Sequence, residues 1–255
     1  MTNGSRILIF GGVLSLFSLH SFAGTIVPGP VVPNALTAVE GNSSNIIPFQ
    51  SPDDRSTPMW SQQVYQASEF GGPISIVRIA FRPNGDFGAA FSMTIPDVRI
   101  DLSTTSVTPD TLSSTFANNL GADDTIVFTG PLTLSSSFTG PAGGPKDFDI
   151  FINLQTPFTY NPANGNLLLG IGVLTGAPFN GLAVLDATVQ SSGYVMARVW
   201  GNNSTAGFLS TDESRSGVVT RFDSATPEPG SMSLISVTFL FSGVLMGIRR
   251  RRLGR

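Results

Sequence analysis

The chain has 255 residues, with 17 acidic and 14 basic side chains, no cysteine and one histidine, His20. Lack of cysteine excludes a disulfide framework, thiolate metal sites and thiol catalysis, and a lone imidazole near the N-terminus leaves the remainder without Ser-His triads, His-ligated zinc or a histidine base. Arg6 and the five arginines from 249 onward take six of the fourteen basic residues, so residues 24–225 hold 16 acids against 8 bases, a net charge of −8, which argues against nucleic acid as a partner.

Residues 1–23 read as a secretory signal peptide. Arg6 and the free amino group supply a positive start, 7–19 an apolar stretch too short for a comfortable span, and Ser21-Phe22-Ala23 a small-x-small cleavage site, so the exported chain is expected to begin at Gly24. Residues 24–57 are rich in Pro, Asn and Ser and read as an irregular N-terminal segment with one edge strand at 46–49.

From residue 58 the texture changes to short apolar runs broken by Gly, Pro, Asn and Asp, the pattern of many strands joined by tight turns. Strands are expected at 64–67 and 74–81, the latter with a shift of phase at 77 that suggests a bulge. Arg82-Pro83-Asn84-Gly85-Asp86 is a turn, because Asn-Gly accepts positive φ. Strands at 91–95 and 98–104 follow. In the second, Val98, Ile100 and Leu102 alternate with Arg99, Asp101 and Ser103, as a half-solvated antiparallel strand requires.

Residues 108–120 are the single helix candidate: Thr108 can cap, Pro109 suits the first turn, Leu112, Phe116 and Leu120 recur every four residues, and Gly121 can end it. Further strands are expected at 125–128, 132–138, 148–154, 167–174, 182–189, 194–200 and 218–222. The fold class that follows for 58–225 is all-β: an antiparallel β-sandwich, jelly-roll-like, with one short helix lying on it as a small lid.

Three constellations in this domain bear on chemistry. Asp147 and Asp149 flank Phe148 and would share one face of a strand, where two carboxylates can hold calcium; Asp123-Asp124 and the Asn84–Asp86 turn are further oxygen clusters, though no spaced calcium loop is present. Glycosidase chemistry needs two facing carboxylates. Glutamates are scarce over 24–225 (Glu40, Glu69, Glu213), and the expectation is a protein that is not an enzyme and needs no cofactor. Trp60, Tyr65, Tyr194 and Trp200 are the aromatics that could stack on sugar rings, Trp200 as a rim residue at a strand end.

The tail, 226–255, has three parts in order: Pro227, Glu228 and Pro229; an uncharged apolar run at 232–248; and Arg249, Arg250, Arg251 and Arg252. The two prolines hold the tripeptide extended. A helix over 232–248 would reach about 25 Å, close to a transmembrane span, and the arginines would stay cytoplasmic and snorkel to the interface. A plain C-terminal anchor needs only the run and the arginines. With the tripeptide added, the tail resembles the PEP-CTERM sorting domain. That resemblance covers about thirty residues. It implies recognition by exosortase, a membrane-embedded transpeptidase, with cleavage near the tripeptide, an inner-membrane intermediate and delivery to the cell surface or extracellular matrix. A structural or adhesive matrix component is then the first expectation for the β domain, and a carbohydrate-binding module for exopolysaccharide the second.

Overall fold

Alternating apolar and polar residues organise the chain into strands, each with one face that must be buried. A computed structural model describes residues 24–176, 183–209 and 216–226. Within them run β1 (Thr25–Val27), β2 (Val31–Val32), β3 (Ser43–Asn45), β4 (Met59–Tyr65), β5 (Ile74–Phe81), β6 (Phe91–Thr105), β7 (Thr125–Ser136), β8 (Ile150–Tyr160), β9 (Asn166–Val173), β10 (Leu185–Val189), β11 (Met196–Gly201), β12 (Ser216–Val218) and β13 (Thr220–Thr226). The leader at 1–23 and the tail features, Pro227, Glu228, Pro229, 232–248 and the arginines 249–252, lie outside the described residues. Among the described residues, no helix is long and apolar enough to cross a membrane.

The first sheet runs β1-β13-β5-β8, with β2 also paired to β13; the second runs β11-β4-β9-β6-β7; a third, smaller one runs β12-β10-β3. Their pairings are antiparallel, and residues Ile26–Thr226 form one compact unit. The protein is therefore an all-β antiparallel sandwich. Its core lies between the first two sheets: Met59 and Tyr65 of β4 and Leu167, Leu169, Ile171 and Val173 of β9 face Ile76, Ile79, Ile152 and Phe222 of the first sheet. Tyr65 joins the layers directly. Its ring meets that of Phe222 edge-on at 5.0 Å, and its hydroxyl is 2.8 Å from that of Thr220.

Several expectations change here. The bulge in β5 is present, with the register to β8 shifting between Ile76 and Arg78. The runs at 91–95 and 98–104 form one strand, β6, which passes Pro96 through a register shift between Ile95 and Val98. Likewise 125–128 and 132–138 fuse into β7 across Gly130, whose φ of 114° only glycine adopts readily. Residues 46–49 are not the edge strand; β3 precedes them, and Phe49 and Gln50 donate their N–H groups to the Ile46 carbonyl in a turn.

The helix expected at 108–120 is absent. A 3-10 turn at Phe116–Asn119 is all that is helical there, one of four such segments among the described residues. The reason is competition for backbone groups: Phe116 N–H donates to the Thr205 carbonyl and Gly207 N–H to that of Ser114, so 114–116 is held extended against 205–207. Leu112 and Phe116 still reach one apolar patch, packing on Val64, Leu168, Ala197 and Val199 over the outer face of the second sheet.

Ion pairs on two buried aspartates tie neighbouring elements together. Arg82, just after β5, bonds Asp186 of β10 through Nε at 2.7 Å and the carbonyls of Leu36 and Val39 at 3.0 and 2.6 Å. Asp223 of β13 receives Arg78 and Arg221, both at 2.7 Å through Nε.

Candidate functional site

The outer face of the second sheet carries the candidate site, and strand register sets its layout. On the central strand β9, Gly170 and Gly172 point outward between larger neighbours. Trp60 of β4 and Arg99 of β6 both pair with Gly172, and Gln62 and Asp101 both pair with Gly170. Two adjacent rows result, Trp60-Gly172-Arg99 and Gln62-Gly170-Asp101. A Cβ on Gly172 would lie 3.0 Å from Trp60 Nε1, and one on Gly170 would lie 2.2 Å from Asp101 Oδ2. The indole and the carboxylate thus lean over the bare backbone of β9, which forms a floor only glycine permits.

Walls rise around this floor. Phe116, Ala117 and Leu120 come from the 107–120 segment, Asp124 from the approach to β7 and Ser204 from the loop after β11; they enclose a cleft of about 210 Å³. The segment is pinned by Asn119, which is buried. Its Nδ2 donates to Gln62 Oε1 and to the Ser113 carbonyl, each at 2.9 Å, and its Oδ1 accepts from Ser113 N–H at 2.8 Å. A missing bond here would leave a buried amide unsatisfied, so the wall is held firmly.

The electrostatics are dominated by carboxylates. Burial pushes Asp101 up to about 6, the charge of Asp124 adds to the rise, and Arg99 opposes it. Arg99 Nε reaches Asp101 Oδ1 at 3.3 Å while its own side chain is 46% exposed, so the counter-charge is loose. Asp124 is also raised, chiefly by burial, with Arg99 opposing and Asp123 adding to the rise. Asp124 Oδ1 is buried with no hydrogen-bond partner among the described residues. A glycine floor beside a half-buried indole, with acceptors on the opposite side, suits a ring that has an apolar face and hydrogen-bond donors at its edge.

Of the residues singled out from the sequence as possible ligand contacts, Trp60 and Asp124 belong to this cleft. Tyr65 is fully buried, and Trp200 is 7% exposed in the main core with its ring 5.4 Å from that of Phe208. Both are core residues, not sugar platforms, because period-two alternation turns Tyr65 to the inner face of β4 and Trp200 to the inner face of β11 with Met196. Tyr194 is half-buried in the loop before β11 and donates its hydroxyl to the Ser191 carbonyl.

Asp147 and Asp149 are not on a strand; β8 begins at Ile150. Asp149 Oδ2 accepts from Ser136 Oγ at 3.1 Å and from Ser137 N–H at 2.8 Å, so it fastens the end of β7. Among the described residues no three of His, Asp or Glu gather as a metal site would need. Arg99, Asp101, Gly170 and Gly172 are site residues that the sequence alone does not single out. Their signal was available as the polar half of the β6 alternation and as glycines interrupting the apolar run of β9, but nothing local aligned the two.

No protein-family model matches this chain, and neither does any curated protein or solved structure.

Proposed function

We propose that the protein is an exported component of a bacterial cell surface or extracellular matrix whose sandwich domain binds polysaccharide in the cleft over β9. The single observation that carries this reading is the pair of rows in which Trp60 and Asp101 lean over Gly172 and Gly170. The two glycines let the indole and the carboxylate lie close over β9, where the indole supplies a stacking face and the carboxylates accept from hydroxyls. This favours glycan attachment over a purely structural role for the domain.

Two further points belong to the proposal. The domain is a jelly roll: β2, β13, β5 and β8 in one sheet and β4, β9, β6 and β7 in the other support it, since the chain crosses between the layers from β4 to β5, β5 to β6, β7 to β8 and β8 to β9. The route is secretion by a cleaved leader, then sorting by an exosortase-like transpeptidase through a transient inner-membrane span. Pro227, Glu228 and Pro229 ahead of the apolar run and Arg249–Arg252 support that route.

The test is affinity electrophoresis through gels cast with a panel of polysaccharides. Retardation by at least one polymer is expected, and Trp60→Ala should weaken it about tenfold, the factor that a stacking contribution of about 1.4 kcal/mol represents. Unretarded migration through every polymer, or retardation that Trp60→Ala leaves unchanged, would refute the reading.

A further inference from the structure

The charge of the cleft narrows its ligand. Two carboxylates, Asp101 and Asp124, line it against one guanidinium, Arg99, which is loosely placed. Asp124 Oδ1 is desolvated without a hydrogen bond, a state that costs free energy until a donor arrives. The far oxygen of Asp101, Oδ2, sits above Gly170, on the side of the carboxyl away from the atom that Arg99 contacts. Both acids are raised mainly by burial, which marks a place that water reaches poorly, and Arg99 opposes the rise at each.

Three classes of sugar can be weighed against this arrangement. A uronate would bring a third carboxylate into a cleft already in excess of negative charge, and like charges at such range are repelled. A neutral sugar supplies hydroxyl donors but leaves the charge uncompensated. An unacetylated amino sugar supplies an ammonium, which makes charge-assisted bonds to carboxylates roughly twice as strong as neutral ones, and the indole face of Trp60 attracts cations as well as ring C–H groups. The net charge of −8 over residues 24–225 would also draw a polycation toward the domain.

We infer that the cleft selects a polysaccharide bearing free amino groups, with the ammonium held by Asp101 and Asp124 and the sugar ring against Trp60. This rests on the glycan reading above and adds the sugar class to it.

Titration calorimetry of the full chain near neutral pH, with three oligosaccharides of equal length, tests it. The probes are a glucosamine oligomer, an N-acetylglucosamine oligomer and an oligogalacturonate. The expected result is binding of the glucosamine oligomer about tenfold tighter than the acetylated one, a discrimination typical of one charge-assisted bond, with the oligogalacturonate weakest. Asp124→Asn should bring the two amino-sugar affinities within about threefold of each other, while Trp60→Ala should weaken both. Unchanged thermal midpoints would establish that both variants are folded, and Asp101→Asn gives a second reading of the same preference. Equal affinities, a preference for the acetylated oligomer or the uronate, or a preference that survives both carboxylate changes would overturn the amino-sugar inference and leave glycan binding standing. Failure of all three oligomers together with the whole polysaccharide panel would overturn glycan binding itself.

Discussion

Replacing Asp101 by Asn tests whether the cleft wall is as dry as its geometry implies. In the folded chain this carboxyl titrates at about 6, against an ordinary value of 3.8. Between those values the folded state keeps a proton that the unfolded chain has released, so stability falls as pH rises through the window and levels off above about 6. A gap of roughly two pH units, at 1.36 kcal/mol for each, amounts to about 3 kcal/mol. Asparagine keeps the shape and an acceptor oxygen but does not titrate. The parent should therefore lose about 3 kcal/mol relative to Asp101→Asn on going from pH 3 to pH 7.

The Arg99 contact needs no separate allowance, since it forms with the ionised carboxylate and is already counted in the value of about 6. Urea unfolding followed by tryptophan fluorescence, at half-unit steps of pH, gives both curves. Carboxylates remote from Asp101 cancel in the difference, which leaves Asp101 and its neighbour Asp124. A difference that is flat over this range, or that tilts the other way, would mean that water reaches Asp101 freely and that the enclosed cleft wall is misread.

Three other outcomes are expected. Arg82→Met strands Asp186, whose side chain is 0% exposed, and should destabilise the protein by about 3–5 kcal/mol in the same assay, with much of the loss recovered when Asp186→Leu is added. Gly172→Val places branched carbon where even a Cβ would stand 3.0 Å from Trp60 Nε1, so it should displace the indole and weaken polysaccharide retardation by about tenfold or more with little effect on the unfolding midpoint. Changing Pro227, Glu228 and Pro229 together to Ala should leave the protein uncut in the inner membrane while the parent loses its tail, as fractionation with an N-terminal epitope would reveal; identical size and location would reduce the tail to a plain anchor.

What the sequence by itself determined was the class of the fold and much of its fine grain. Alternation in β6 separated Val98, Ile100 and Leu102 from Arg99, Asp101 and Ser103, and the structure places the first set in the core and keeps the second out of it. The phase shift in β5 marked a real bulge, because a strand that changes which residues face inward must insert one. Both are properties of neighbouring residues, and period two is written locally.

Tertiary structure decided the rest. Whether 114–116 became helix depended on the Thr205 carbonyl and the Gly207 N–H, about ninety residues away, and no local pattern carries that competition. The same holds for the aromatics. Trp60 and Trp200 both read as candidate sugar-stacking aromatics, yet register turns one over Gly172 and the other into the core. The cleft itself exists only because β4, β9 and β6 lie side by side, setting Trp60, Gly170, Gly172 and Asp101 together from three separate stretches of chain. Hydrogen-bond register between strands distant in sequence is set by how the whole sandwich closes, and so the site could not be read until the sheets were in place.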